Sequence, residues 1–255
     1  MTAVFVNGNP ETAAIWDPLC AELDRTDVLR LSPPGFGAPI PEGFDCTVTA
    51  YRDWLIAELE TLGEPVDLVG HDVGGSTVVT VAMTRPDLLR TWVSDSLGAF
   101  DPDYVWHDLA QQWQTPGIGE KSVAQRLGGT LEERTERLVA RGIARPVAAQ
   151  VAVGQGPQMG QAILAYYRSA VQPVMAGLGR NLPAAAARPG LAILATDDHI
   201  VGSEDMRRRS ATQAGAQVAT LEGLGHWWMV QDPVRGARAL TSFWASGLGG
   251  RADHQ

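Results

Sequence analysis

Short apolar runs alternate along the first hundred positions with longer stretches whose apolar residues recur every third or fourth position. Ala3 to Val6, Val28 to Leu31, Val66 to Val69 and Trp92 to Ser94 have the brevity and β-branched or aromatic content of strands. Ala13 to Leu23, Tyr51 to Leu62 and Ser76 to Thr84 have helical spacing. Such alternation predicts an α/β fold with a mostly parallel sheet flanked by helices, because parallel strands need a crossover between them. From Asp101 to about Arg188 no strand pattern occurs, and Leu131 to Arg141, Val147 to Val153 and Gln161 to Met175 read as amphipathic helices. The alternation resumes with Leu191 to Leu194, a helix over Glu204 to Ala214, Val218 to Leu221 and a last helix from Val234 to Ser246. The chain thus reads as one α/β core, residues 1–98 and 189–255, interrupted by a helical cap over 99–188. The Ala/Pro stretch Leu182 to Gly190 is the expected linker back to the core.

The most telling punctuation is Gly70-His71-Asp72-Val73-Gly74-Gly75, between the third apolar run and a helix expected to open at Ser76. A tight strand-to-helix turn needs small residues two before and two after its tip, and Gly70 and Gly74 meet that need around Asp72. This is the spacing of a nucleophile elbow with a carboxylate in place of serine. A carboxylate attacking a tetrahedral carbon yields an ester that water can cleave, whereas serine would yield a stable ether. The elbow therefore predicts alkyl rather than acyl chemistry. The competing reading is a glycine-rich loop whose Asp72 caps the next helix.

An elbow nucleophile requires an acid and a base later in the chain. His226, in Gly223-Leu224-Gly225-His226, follows the last strand and is the candidate base. Asp198 is the candidate orienting carboxylate, with Asp197 beside it and Asp95, after the fourth strand, as the alternative acid. After the first strand, Asn7-Gly8-Asn9-Pro10 positions the backbone amide of Asn9 to converge with that of Val73 on an ester oxyanion.

Composition removes other classes. In 255 residues with a net charge of −9, no basic cluster suits a polyanion, so no nucleic-acid partner is expected. Arg207-Arg208-Arg209, after Glu204 and Asp205, reads as a solvated helix face. Cys20 and Cys46 lack disulfide or metal spacing and are expected to be reduced. Neither a leader nor a membrane-length apolar stretch is visible, which predicts a cytoplasmic protein without a membrane partner. No metal, nucleotide or other cofactor motif is present, and the expected partner is a small-molecule substrate. His71 is expected to support the elbow, His107 and His199 to face polar surroundings, and His254 to lie in a disordered tail.

Together these motifs resemble the α/β-hydrolase superfamily, and within it the epoxide hydrolases and haloalkane dehalogenases that use an aspartate nucleophile. Asn7-Gly8-Asn9-Pro10 resembles the family's HGxP, Pro34-Gly35-Phe36-Gly37 its PGFG loop, Gly70 to Gly75 its elbow and Gly225-His226 its base. The chain departs from the pattern at Asn7, where histidine is usual, and at Val73, where tryptophan is frequent.

The resemblance implies two reactions. Cap tyrosines of epoxide hydrolases protonate the epoxide oxygen, and Tyr167-Arg168 resembles the dipeptide that carries the second of them. Trp113 to Gly117 resembles the stretch after the first, whose place Leu109 takes, so Tyr104 or Tyr166 is a substitute, or Tyr167 acts alone. Haloalkane dehalogenases bind the departing halide through N–H donors. Asn9 resembles one of them, while Val73 removes the tryptophan beside the nucleophile and leaves Trp106 or Trp113 as replacements. The absence of an elbow arginine disfavours fluoroacetate-type dehalogenation. Epoxide hydrolysis is the first expectation, haloalkane dehalogenation the second, and a noncatalytic ligand receptor on the same fold the third. Substrate identity and oligomeric state are not encoded in these motifs.

Overall fold

In the computed structural model, which describes residues 2–248, the short apolar runs form six strands. They are β1 (Ala3–Val6), β2 (Val28–Leu31), β3 (Val66–Gly70), β4 (Leu89–Ser94), β5 (Gly190–Ala195) and β6 (Ala216–Leu221). All neighbouring pairs are parallel, in the order β2-β1-β3-β4-β5-β6. The chain steps outward from β1 to β2, then crosses back to β3 on the other side of β1. The carboxyl ends of β1 and β3 therefore flank the switch point where open α/β sheets form a crevice. The Asn7 loop and the Asp72 elbow both emerge there.

Strand pleating sorts the core into two layers. Val4 and Val6 of β1 face the layer that includes Tyr51, Leu55 and Val78, while Ala3 and Phe5 face the one that includes Ile15, Trp16, Trp228 and Leu240. Helices α2 (Val48–Leu62) and α3 (Val73–Thr84) cover the first face. A 3-10 turn (Ala13–Trp16), α1 (Asp17–Ala21), α11 (Trp228–Gln231) and α12 (Pro233–Leu248) cover the second. Trp16 meets Phe5 and Trp228 with ring centroids 5.2 and 6.0 Å apart. The one helix expected over Ala13 to Leu23 is thus a 3-10 turn followed by a short α-helix, the break falling at Asp17-Pro18, where proline fits a first helical turn.

Between β4 and β5 lie α4 (Asp108–Gln114), α5 (Ile118–Leu127), α6 (Leu131–Val139), α7 (Arg145–Gly154), α8 (Pro157–Ser169) and α9 (Val174–Gly179). Pro173 separates α8 from α9 where a single helix over Gln161 to Met175 was expected. Hydrogen bonds tie this helical segment to the sheet unit: Gln155 Nε2 donates to the Pro10 carbonyl at 2.9 Å, and the Val48 amide to Ser169 Oγ at 3.0 Å. The expected linker is structured instead. Leu182–Ala187 forms a 3-10 helix with Leu182 and Ala185 buried, and Trp92 Nε1 donates to the Ala185 carbonyl at 3.0 Å.

After β5, α10 (Glu204–Gln213) corrects the reading of its arginines as one solvated face. Arg207 is buried and donates to the Ala195 carbonyl at 2.8 Å, while Arg209 grips Asp101 at 2.9 Å. Charged residues this close in sequence point to different sides of a helix, which a run of like letters hides. Among the described residues no helix is long and apolar enough to cross a membrane, Cys20 and Cys46 are free thiols, and His254 lies outside those residues.

The elbow leaves no room for side chains at its glycines. A Cβ on Gly74 would stand 2.4 Å from the Val6 carbonyl oxygen, and one on Gly70 2.5 Å from the Gly74 oxygen. Gly74→Ala must therefore push α3 off β1 and is expected to lower stability by about 2–3 kcal/mol. Gly156→Ala, where a Cβ meets nothing within 4 Å, should cost less than about 1 kcal/mol. Urea unfolding of both variants checks this, and equal midpoints would refute the crowding argument.

Candidate active site

Asp72 sits at the elbow tip with φ 52° and ψ −120°, a conformation that L-residues seldom adopt. The helix opens one residue later, at Val73 rather than at the expected Ser76, so the elbow is shorter than the glycine run suggests. Asp72 is held from two sides. Its amide donates to Asp95 Oδ1 at 3.0 Å, and its own Oδ1 accepts the Asn9 amide at 2.9 Å. The Val73 amide makes no hydrogen bond to that carboxylate, so of the two expected donors Asn9 alone engages it in this structure. Burial pushes the Asp72 carboxyl above its ordinary value, with His226 and His71 pulling the other way.

His226 arrives on the loop after β6. That loop is zipped to the one after β5: the Asp197 amide donates to the Leu224 carbonyl at 2.9 Å and the Gly223 amide to Thr196 Oγ1 at 2.8 Å. This register faces Asp198, not Asp197, toward the imidazole. His226 Nδ1 lies 2.9 Å from Asp198 Oδ2, and its Nε2 lies 3.8 Å from Asp72 Oδ2. Asp197 is exposed. Burial works against a charge on His226, but Asp198 and Asp72 outweigh it and hold the imidazole above its ordinary value. The Ile200 amide, 2.8 Å from Asp198 Oδ1, and the imidazole together keep the Asp198 carboxyl low despite burial.

Asp95, the alternative acid, is placed elsewhere. Its Oδ2 lies 2.6 Å from His71 Nδ1 and accepts Trp228 Nε1 at 2.8 Å, while its Oδ1 takes the Asp72 amide and Ser96 Oγ. It braces the elbow through His71 and does not touch His226. On the far side of His71, Nε2 lies 3.3 Å from Glu11 Oε1, and Glu11 also accepts Trp227 Nε1 at 2.6 Å and the Gly8 amide at 3.3 Å. Two buried carboxylates overcome the burial of His71 and raise it well above the ordinary histidine value. Glu11 was not singled out in the sequence, since an acid after Asn9-Pro10 reads as an ordinary turn residue. Glu11, His71 and His226 also bring potential metal ligands within 4.8 Å of one another.

A cavity of about 80 Å³ opens on Asp72 and is lined also by Asn9, His107, Trp113, Tyr167 and His226. Of the three candidate tyrosines, Tyr167 alone lines it. Tyr104 donates its hydroxyl to the Ile200 carbonyl at 2.8 Å, and Tyr166 lines a smaller recess together with Ser76. The Tyr167 hydroxyl oxygen accepts Asn9 Nδ2 at 3.4 Å, which leaves its proton free to donate. Burial and the Asp72 charge raise its phenol well above the ordinary value, keeping it protonated. Of the tryptophans proposed as donors, Trp106 Nε1 is taken by the Ala170 carbonyl at 2.9 Å, whereas Trp113 Nε1 is buried without a partner.

His107 does not face polar surroundings. It stands half-buried among Trp106, Trp113 and Tyr167, and desolvation pushes it down to about 4. Its Nδ1 accepts the Ala110 amide at 3.2 Å, so the neutral ring carries its proton on Nε2. Only its place before a helix could have hinted at the cap, and nothing in the sequence pointed it at the cavity. Opposite the Asp72 carboxylate the cavity wall thus presents neutral N–H and O–H donors.

The family model described as "Alpha/beta hydrolase family" matches residues 3–239. A curated relative, (E)-2-((N-methylformamido)methylene)succinate hydrolase of Acinetobacter baylyi (strain ATCC 33305 / BD413 / ADP1), is 32% identical over 89 residues, a match covering 34% of this chain and 34% of the relative. Among solved structures, E-2-(acetamidomethylene)succinate hydrolase superposes with a TM-score of 0.73 at 21% identity, covering 96% of this chain and 91% of the other. A loop variant of a haloalkane dehalogenase from Bradyrhizobium elkanii gives 0.71 at 20% identity, with 99% and 91% covered. The enol-lactonase of Burkholderia xenovorans LB400 gives 0.69 at 20% identity, with 96% and 91% covered. With its parallel sheet, its elbow at the switch point and a family match over nearly its whole length, the chain belongs to the α/β-hydrolase family.

Proposed function

We propose that the protein hydrolyses substrates at a tetrahedral carbon through an ester of Asp72, with an epoxide as the electrophile and a diol as the product. The observation that carries this reading is the pairing across one cavity of a buried elbow carboxylate with a phenol, Tyr167, whose proton is free. Residues 99–188 act as the cap over a core of 1–98 and 189–255, contributing Tyr167 and closing the site to bulk water.

In the first step Asp72 Oδ2 attacks an epoxide carbon, the ring C–O bond breaks, and the departing alkoxide takes the Tyr167 proton, which water later restores. In the second, His226 accepts a proton from water as its oxygen adds to the ester carbonyl carbon. The Asn9 amide, already 2.9 Å from Oδ1, stabilises the oxyanion, and the 3.8 Å between His226 and Asp72 leaves the imidazole nearby without a direct hydrogen bond. Collapse expels the diol, which takes the proton from His226, and the carboxylic acid left on Asp72 passes its proton through water to the Tyr167 phenolate, so both groups return to their starting states. Asp198 fixes the imidazole tautomer and favours the imidazolium that forms.

Dehalogenation is the second reading, favoured by the unpartnered Trp113 Nε1 and by the neutral His107, both donors suited to a halide. The two reactions differ in what they leave on Asp72: an epoxide adds its entire mass, a haloalkane only its alkyl group.

Three outcomes follow. His226→Gln, incubated with epoxide and haloalkane panels, should accumulate a single adduct of full epoxide mass on the peptide containing Asp72, seen by mass spectrometry, and Asp72→Asn should accumulate none. Adducts from haloalkanes alone would select the second reading, and an unlabelled protein would favour the receptor reading. Tyr167→Phe should slow alkylation about 10²-fold or more, while Tyr104→Phe, whose hydroxyl is spent on Ile200, should change it little.

The pH profile follows from His226, which must be neutral to accept a proton. In the ester adduct the Asp72 charge is gone and Asp198 remains the main support of the imidazolium, so de-alkylation should fall on acidification along a limb set by the Asp198 pair. Asp198→Asn removes that support, so the limb should move to lower pH while the plateau drops by orders of magnitude. An unmoved limb in stopped-flow decay of the adduct would argue against this pair.

A further inference from the structure

The helical wall of the cavity carries three guanidinium groups that the chemistry above does not use. Arg126 near the end of α5, Arg137 near the end of α6 and Arg141 just beyond it line the same cavity as Asp72. Arg137 donates to the Gly128 carbonyl, but its Nε is buried without a partner. Arg126 and Arg141 make no side-chain hydrogen bond or ion pair among the described residues.

Of the acids of α6, Glu133 acts on this wall through its charge beside Arg137, but none forms an ion pair with the wall's arginines. Glu132 and Glu136 pair with Arg145, and Glu133 closes the helix cap at Thr130. The remaining buried carboxylate that acts on Arg141 is Glu11, which is committed to His71 and Trp227. Burial, together with repulsion from Arg126 and Arg137, pushes the Arg141 guanidinium below its ordinary value. Outside the cavity, a shallower depression shares Arg126 and Arg137 and adds Lys121, with no acid in its lining. In a chain of net charge −9, the approach and one wall of the cavity are thus cationic.

We propose that the substrate carries a carboxylate, held by Arg126, Arg137 and Arg141 on the helical wall while its reacting carbon meets Asp72 at the sheet end. This rests on the reading of that cavity as the substrate site. Planar guanidinium forks match a carboxylate through paired hydrogen bonds, and such an anion relieves the mutual repulsion of the three groups. Residues from two helices and the loop after them then set both the substrate class and the direction in which it enters.

The test uses unreactive acids, so it does not depend on ester chemistry. Wild-type protein is titrated calorimetrically with hexanoate and 4-phenylbutyrate and with their primary amides, which match them in shape but lack the charge. The acids should bind about tenfold or more tightly than the amides, and rising salt should shrink that preference. Arg126→Gln/Arg141→Gln should abolish it, whereas Arg145→Gln, altered at the Glu132/Glu136 pair, should retain it. In the wild type, a preference that salt leaves unchanged would count against the proposal even if the double variant failed to fold. Equal affinities of acid and amide, failure of the acids to bind at millimolar concentration, or a preference surviving in the folded double variant would overturn it. Acid-selective binding without any adduct in His226→Gln would instead leave this inference standing and remove the hydrolytic reading.

Discussion

The arrangement of the site depends on one buried carboxylate, that of Asp95. Its two oxygens collect the Asp72 amide, Ser96 Oγ, His71 Nδ1 and Trp228 Nε1, thereby joining the ends of β3 and β4 to the start of α11. Four polar contacts around one charge offset its burial and hold it ionised, well below the ordinary carboxylate range. The strained backbone at Asp72 is stabilised by that acceptor, since a left-handed φ at a residue other than glycine persists only when its surroundings over-determine it. Loss of the carboxylate would release the elbow amide and leave His71 facing Glu11 alone.

From that anchor the charges alternate outward. Glu11, His71 and Asp95 form one buried row, and Asp72, His226 and Asp198 form a second beside it. The two imidazoles touch, with ring centroids 4.5 Å apart. A proton on His71 therefore makes a proton on His226 harder to hold, while Asp198 makes it easier. The row behind the site thus tempers the basicity of the histidine in front, and the balance is struck among groups too buried for solvent to screen.

Much of this was legible in the chain because it is local. Short apolar runs located all six strands, and the elbow glycines located Asp72. Chain order alone put Asp198 and His226 on adjacent sheet-end loops, which the structure brings to 2.9 Å. The rest was hidden where the deciding contact is distant in sequence. Asp95 and Asp198 both follow strands at the same sheet edge, and only the third dimension gives His71 to one and His226 to the other. Tyr167 was marked by its neighbour Arg168, but Tyr104 and Tyr166 stayed open beside it until the Ile200 carbonyl took the Tyr104 hydroxyl and Tyr167 alone of the three lined the larger cavity. Arg207 looked solvated because its neighbours are charged, yet it supports the end of β5 beneath the Asp198 loop.

The division of labour between the two parts of the chain follows from the same physics. Strands inside the sheet are fixed by parallel pairing on both sides, and Asn9, Asp72 and Asp198 follow such strands, while His226 follows the edge strand β6 and is held by the loop after β5. The helical segment contributes groups whose task is to surround: Tyr167, His107 and Trp113 as neutral donors, and beyond them the arginines of α5 and α6. Near Asp72 its direct polar link to the sheet unit is the hydrogen bond from Asn9 Nδ2 to the Tyr167 hydroxyl at 3.4 Å. On the proposed reading, changes in that segment alter which molecule is held without disturbing the groups at the sheet end, provided the Gln155 and Ser169 anchors keep the two parts in register. One cavity thus joins neutral donors and cations in its wall to a buried carboxylate, and on the proposed reading a molecule with an electrophilic carbon at one end and a negative charge at the other satisfies both.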